Sequence, residues 1–257
     1  MKRKKNSFRS DERRMQTSEN FQYSGHAELK ATETGLIGYS TDIVKKLSRK
    51  MGLEKRFPES IEVLEFGAGS GFLADIWMRE NSVKPDCCEI DPTLVSAIRT
   101  RGFTCITSLS ESERKYQGIY TSNVLEHIEN DLGILKDLYH SLTPAGVIGI
   151  YVPAFPFLFS EMDEIVGHFR RYRRRELISK VETAGFLVEY CAYSDFVGFF
   201  ATIFLKFVGF KRRANLGSAK SLRFYDVWIY PISRALDALG FRYLAGKNLI
   251  LVARKPA

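Results

Sequence analysis

Cysteine is scarce in this chain, four residues in 257, and no two of them form a C-x-x-C pair. Cys87 and Cys88 are adjacent in an apolar run, and Cys105 and Cys191 stand alone. That usage argues against a disulfide framework and against a zinc site, and it fits a reducing cytoplasm. No apolar run reaches the ~18 residues that a membrane-crossing helix needs. The first residues lack the apolar stretch of roughly 7–15 residues that marks a secretory signal. Internal repeats and low-complexity tracts are missing, which excludes solenoids and arrays. No metal-ligand spacing stands out either, so metal-independent chemistry is expected.

What is present is an ordinary globular composition with an excess of positive charge. Apolar residues make up 45% and charged residues 26%, enough for a core and against global disorder. The net charge of +8 favours an anionic partner: nucleic acid, a membrane surface or an acidic substrate. Part of it is concentrated at the start, where Lys2, Arg3, Lys4, Lys5, Arg9, Arg13 and Arg14 face only Asp11, Glu12 and Glu19. Residues 1–24 read as a mobile basic tail, and 25–257 as one domain.

Along that domain short apolar runs alternate with helical patterns. Ile43, Val44, Leu47 and Met51 make a helix stripe, with Ser40 or Thr41 as its expected N-cap. Strands are expected over 61–66, 86–90, 103–106, 118–122 and 147–152, and two later ones over 186–193 and 248–254. Helices begin near Phe72 and Pro92, and Leu132, Leu135, Leu138, Tyr139 and Leu142 mark another. Such alternation predicts an α/β fold with a parallel sheet covered on both faces.

The run VLEFGAGSGF (Val63 to Phe72) takes a strand into a glycine turn and then a helix. Glycines there let the backbone approach a ligand and leave the free N–H groups of the helix facing it. A dinucleotide fingerprint would need glycine at position 72, which is Phe72. The spacing is instead G-x-G-x-G (Gly67, Gly69, Gly71), preceded by Glu65. One βα unit later comes CEIDP (Cys88 to Pro92), then SNVLEHI (Ser122 to Ile128) and LTPAGVIGIYVPA (Leu142 to Ala154).

In this order the segments resemble the class I S-adenosylmethionine-dependent methyltransferases over roughly 125 residues. The resemblance implies a Rossmann-like, doubly wound, mainly parallel seven-stranded sheet with an antiparallel last strand. It implies S-adenosylmethionine as methyl donor, with Glu65, Gly67, Ala68, Gly69, Gly71 and Phe72 forming the loop around it. Glu89 takes the position of the acid that binds the ribose diol, with Ile90 beside it. Ser108, Leu109, Asn123 and Val124 are expected to complete the donor site. The chain departs from the family at Gly118, where Asp is frequent before the fourth strand, and in TSLSES, where the adenine-side loop often carries Asp.

After the fifth strand the chain packs five arginines into the six residues Arg170 to Arg175. The surrounding D-E-x-x-G-H-x-R-R-Y (Asp163 to Tyr172) resembles a bacterial methyltransferase subgroup with a lid over the donor. Arg173, Arg174 and Arg175 read as a solvated helix start. His168, Tyr172 and Arg171 are expected on the acceptor side, the first two to bind or deprotonate a hydroxyl and the arginine to clamp an anion. His127 is a second candidate base or a brace for the lid. No RNA-recognition module accompanies the arginines, so nucleic acid is not the expected partner.

Finally, residues 194–247 separate the last two strands where the family commonly has a short hairpin, giving a helical cap insertion. Phe196, Phe199, Phe200, Ile203, Phe204 and Phe207 form one stripe, with Lys206 and Lys211-Arg212-Arg213 close by. A buried cap over an apolar pocket is expected first, and peripheral membrane contact through 196–213 second. The functional expectation is methyl transfer, to oxygen, on a small-molecule or lipid- or sugar-linked acceptor in the cytoplasm. An RNA methyltransferase and a non-catalytic S-adenosylmethionine-binding protein are the alternatives.

Overall fold

The computed structural model describes residues 25–57, 61–208 and 219–257. The basic tail expected over 1–24 and the Lys211-Arg212-Arg213 cluster are outside the described residues. Seven strands form one sheet: β1 (Val63–Phe66), β2 (Asp86–Cys88), β3 (Cys105–Ile106), β4 (Tyr116–Ser122), β5 (Leu142–Pro153), β6 (Leu187–Ser194) and β7 (Asn248–Arg254). Their order is β3-β2-β1-β4-β5-β7-β6. Strands β1 to β5 pair in parallel, and β7 runs antiparallel to both β5 and β6. The chain reverses its winding between β1 and β4, and in open α/β sheets a ligand site forms beyond the carboxyl ends of strands at such a point.

Eleven helices surround the sheet among the described residues: α1 (His26–Gly35), α2 (Ile37–Met51), α3 (Leu53–Arg56), α4 (Phe72–Asn81), α5 (Pro92–Thr100), α6 (Asp131–Ser141), α7 (Glu161–Ile165), α8 (Arg174–Thr183), α9 (Phe196–Val208), α10 (Ala219–Phe224) and α11 (Tyr230–Ala238). The period-2 alternation of the central strands explains the layers. Ile148 and Ile150 of β5 and Leu249 and Leu251 of β7 face Leu135 and Leu138 of α6 and Leu177 and Val181 of α8. Val147, Tyr151, Ile250 and Val252 face the opposite layer, with Val44, Leu47 and Met51 of α2 and Trp77 of α4. Gly118 and Gly149 let that second layer come close. A Cβ on Gly118 would stand 2.5 Å from Leu53, and one on Gly149 2.7 Å from the Met51 sulfur.

Helix α2 begins earlier than its sequence suggests. Neither Ser40 nor Thr41 caps it; both are inside the helix, and Thr41 Oγ1 donates to the Ile37 carbonyl. The cap comes from far along the chain. The Asp226 carboxylate accepts from Gly38 N at 2.9 Å and Tyr39 N at 2.6 Å, satisfying amides that a helix start leaves open.

Asp226 belongs to the insertion, which comprises α9, α10, a π turn over Tyr225–Ile229, α11 and a 3-10 turn over Phe241–Tyr243. The other two acids of the insertion also fasten it. Asp195 accepts from Gly198 N in the first turn of α9, from Tyr225 and from Ser233. Asp237 accepts from Asp195 N, Phe196 N and Lys46. The buried cap expected for the phenylalanine stripe is corrected here. Phe199 turns toward the domain and packs on Phe155 and Phe157, while Phe196 packs on Phe241 within the insertion. Phe200, Phe204 and Phe207, at spacings of four and three, point outward with 53%, 64% and 85% of their surface exposed.

Candidate active site

A cavity of about 540 Å³ opens beyond the carboxyl ends of β1, β2 and β4. Its floor is the glycine loop. Gly67, Gly69 and Gly71 all have positive φ (73°, 56° and 81°), a region that side chains with a Cβ disfavour. At Gly67 space forbids one as well, since a Cβ would stand 2.3 Å from Val124. The loop is stitched to β2 by Gly67 N and Ala68 N, which both donate to the Cys88 carbonyl. Helix α4 starts directly after Gly71 without a side-chain cap, so its first amides remain available to a ligand.

Two buried acids frame this floor. Glu89, just beyond β2, accepts from Ile90 N at 2.8 Å, Asp91 N at 3.0 Å and Gly69 N at 2.9 Å. A carboxylate has about four lone-pair sites, so three are occupied and the Gly69 contact is one a ligand hydroxyl can share. Glu65, at the end of β1, receives the Tyr120 hydroxyl at 3.0 Å, and Tyr120 in turn stacks on Trp77. Burial pushes the Glu65 carboxyl up to about 8, against the lowering effect of the Tyr120 hydrogen bond. A cation placed beside it would restore its charge.

The other end of the cavity is built by the turn after β4 and the segment after β5. Asn123 takes a positive φ of 54° and donates its backbone N–H to the Tyr151 carbonyl, which sends the chain sharply into Val124, Glu126 and His127. Glu126 is fully buried, and burial raises its carboxyl to about 8. Burial and the neighbouring His168 hold the His127 imidazole down near 4. From the facing segment, Asp163 Oδ1 accepts from His168 Nδ1 and from Arg171 Nε, each at 2.8 Å. Burial would raise the Asp163 carboxyl, but these two partners keep it at about 2. The two histidine rings meet edge to face, 4.5 Å apart.

Of the residues expected around the donor, Glu65, Gly67, Ala68, Gly69, Phe72, Glu89, Ile90, Asn123 and Val124 line this cavity, and Gly71 supports it from behind. Ser108 and Leu109 do not line it. Ser108 caps a 3-10 turn over Leu109–Glu111, and Leu109 packs against the core. His127, His168 and Arg171 come together on the acceptor side as expected. Tyr172 does not. Its ring is fully buried outside the cavity, and its single O–H is shared between the Leu125 carbonyl at 3.1 Å and Asp131 at 2.9 Å. The catalytic role expected of Tyr172 is therefore replaced by a structural one, bracing the turn that carries Glu126 and His127. Tyr172→Phe should lower stability by about 1–2 kcal/mol, because Asp131 keeps Lys180 and Arg170 while one carbonyl loses a donor. Thermal melts and S-adenosylhomocysteine calorimetry check this; a loss of donor affinity without a loss of stability would contradict it.

The arginine run divides the same way. Arg170 is tied to Asp131 and to the Glu129 carbonyl, Arg171 points into the cavity, and α8 begins at Arg174. Two residues with no local signal also line the cavity: Lys247 and Asn248, which follow the insertion. Asn248 donates to the hydroxyls of Tyr39 and Tyr151, which are themselves 3.0 Å apart.

A doubly wound sheet whose first βα turn is a three-glycine loop, with acids closing the next two corners, defines a nucleotide-cofactor enzyme. The chain matches the methyltransferase domain family over residues 38–190, more than half its length, and belongs to that family. It is a class I enzyme that uses S-adenosylmethionine. No curated protein matches it. Among solved structures it is similar to a protein described as a sarcosine dimethylglycine methyltransferase from Galdieria sulphuraria, with 18% identity, 83% of this chain and 84% of that one covered, and a TM-score of 0.55. A SAM-dependent methyltransferase from Archaeoglobus fulgidus matches with 16% identity, 84% and 94% coverage and a TM-score of 0.52. Phosphoethanolamine N-methyltransferase 2 of Haemonchus contortus, solved with S-adenosylhomocysteine, matches with 15% identity, 82% and 53% coverage and a TM-score of 0.50. At these identities the likeness is one of fold.

Proposed function

We propose that the enzyme methylates a hydroxyl oxygen on a small or lipid-linked acceptor that also carries an anionic group. One observation carries this reading: the glycine loop and the Glu126–His127–His168–Arg171 cluster line a single cavity. S-adenosylmethionine supplies an electrophilic methyl group on a sulfonium. The residues present fit it, because Glu89 and the left-handed glycines leave backbone and carboxylate facing a ribose, and Glu65 suits an ammonium. Donor and acceptor held in one cavity need only be aligned, and alignment provides much of the acceleration in such transfers.

On the acceptor side each residue has a definable task. His127 stands on the acceptor side with its imidazole kept neutral at neutral pH by burial and the neighbouring His168. Arg171 Nη1 is buried without a hydrogen-bond partner, which suits a carboxylate or phosphate oxygen. The GHFRRY stretch thereby supports the lid reading of the bacterial subgroup it resembles, with Arg170 tied down and only Arg171 offered to a ligand. Arg173 and Arg175 are exposed at the start of α8, as a solvated helix start should be.

The insertion supports presentation of the acceptor from an anionic bilayer. Residues 194–247 hold nine cations against three acids, Asp195, Asp226 and Asp237, and all three acids are buried. Among the described residues the exposed charges of the insertion, Lys206, Lys220, Arg223 and Arg234, are therefore all positive. Beside them stand exposed apolar stripes on two packed helices: Phe200, Phe204 and Phe207 on α9, and Trp228, Ile232 and Leu239 along the π turn and α11. Apolar surface rimmed by cations is the make-up of an interfacial contact, and like charge disfavours a second copy of the same face. Among the described residues no helix is long and apolar enough to cross a membrane.

The test uses the donor as tracer. S-adenosylmethionine and its demethylated product should raise the melting temperature where NAD does not. Methyl-tritiated donor incubated with the enzyme and bacterial membranes should then put label into the organic extract, as an ether or ester. Label found only in RNA or in aqueous amines would overturn the proposed acceptor class.

A further inference from the structure

The acceptor end of the cavity holds a cluster whose geometry exceeds what hydrogen bonding explains. Glu126 is completely buried, and neither of its carboxylate oxygens has a hydrogen-bond partner. Such an arrangement costs free energy unless a ligand completes it. Around it stand His127 and His168, and ligand atoms of all three residues are within 4.8 Å of one another. His168 is oriented by Asp163: a carboxylate only accepts, so Nδ1 carries the hydrogen and Nε2 keeps its lone pair, 3.9 Å from Glu126 Oε1.

We infer that Glu126, His127 and His168 form a binding site for a divalent transition-metal cation, with Asp163 holding His168 from behind. Resting on the proposed acceptor side, this assigns the cluster a ligand. Ligands at about 2.0–2.2 Å from an ion are separated by roughly 3–4 Å across it, so the widest separation in the cluster needs to contract by about 1–2 Å. Two imidazoles and one carboxylate suit manganese, iron, cobalt or zinc better than calcium. A histidine backed by a carboxylate is the usual outer arrangement of such sites. No ligand spacing is legible in the chain because His168 is 41 positions beyond His127.

Three protein ligands leave open positions toward the cavity, where an acceptor oxygen can bind. A cation there lowers the pKa of a bound hydroxyl, so its O–H bond breaks and the proton leaves to solvent. An oxygen lone pair then forms the bond to the methyl carbon as the carbon–sulfur bond breaks. The electron pair of that bond returns to sulfur, and the sulfonium becomes a neutral thioether.

The experiment uses the full chain, stripped with a chelator and titrated with Mn2+ and Zn2+ by calorimetry, without donor or acceptor. One ion per chain is expected. Pulsed EPR of the Mn2+ form should show 14N couplings from directly bound imidazole, a readout on the unmodified protein. His168→Ala should weaken Mn2+ binding by at least ~100-fold, and Asp163→Asn by roughly 10–100-fold. S-adenosylhomocysteine binding, measured in parallel, reports the donor site separately, so a failed metal site leaves the methyltransferase reading standing. Absence of stoichiometric binding, or Mn2+ bound without imidazole couplings, overturns the inference.

Discussion

Aspartate at both Phe200 and Phe204 should leave the enzyme folded and able to bind S-adenosylhomocysteine, yet abolish its sedimentation with anionic vesicles. Both side chains are more than half exposed, so the fold gains little from them. At a bilayer each would bury a large ring, worth on the order of 1.5–3 kcal/mol, and each aspartate would instead bring a repelled charge. Changing Lys211, Arg212 and Arg213 to Gln should weaken binding by roughly 100-fold, at about 1 kcal/mol for each cation, and salt should imitate the change. Vesicle binding that survives both sets of changes would remove the insertion as the contact. Concentration-dependent dimers in ultracentrifugation, lost in the Phe variants, would instead identify a second copy as the occupant.

Glu89→Ala should reduce donor affinity by more than ~100-fold. Two losses combine: the acceptor for the donor hydroxyls, and the anchor for Gly69 N, Ile90 N and Asp91 N. Glu89→Gln separates them, since its remaining oxygen keeps part of the backbone anchoring while its amide opposes the bound diol. The Ala variant should also melt lower by about 1–3 kcal/mol, the cost of leaving buried donors unmet. Calorimetry with S-adenosylhomocysteine measures the first effect and denaturant titration the second. An Ala variant that binds donor normally would remove Glu89 from the site.

The features legible in the sequence are those set within a few residues. β5 shows as a continuous apolar run because it is buried on both faces, and the glycine loop shows because three left-handed positions select three glycines. What escaped depends on contacts made far along the chain. Asp226 caps α2 from 188 positions away, which displaced the expected Ser40 or Thr41 cap. The phenylalanine spacing of α9 was readable as a stripe, but periodicity does not say which half of a stripe is covered. Tyr172 directly follows Arg171 in the chain, yet Asp131 takes its hydroxyl away from the cavity. Glu126 and His168 come together only through the turn at Asn123 and the hydrogen bond from Phe169 N to the Glu126 carbonyl.

The insertion leaves and rejoins the sheet at one point. Lys247 N donates to the Asp195 carbonyl at 3.0 Å, and Gly246 packs so tightly on Ser194 that a Cβ would stand 2.5 Å from its carbonyl oxygen. Entry and exit are thus knotted into a single stem beside the acceptor end of the cavity. Both ends are held beside the Ser194–Asn248 pair where β6 meets β7, while α10 and Asp226 of the insertion pack on α1 and α2, which line the cavity. The insertion's ties to the rest of the chain include Asp226: an insertion lacking that carboxylate would leave the amides of Gly38 and Tyr39 bare, and α2 would need a cap of its own.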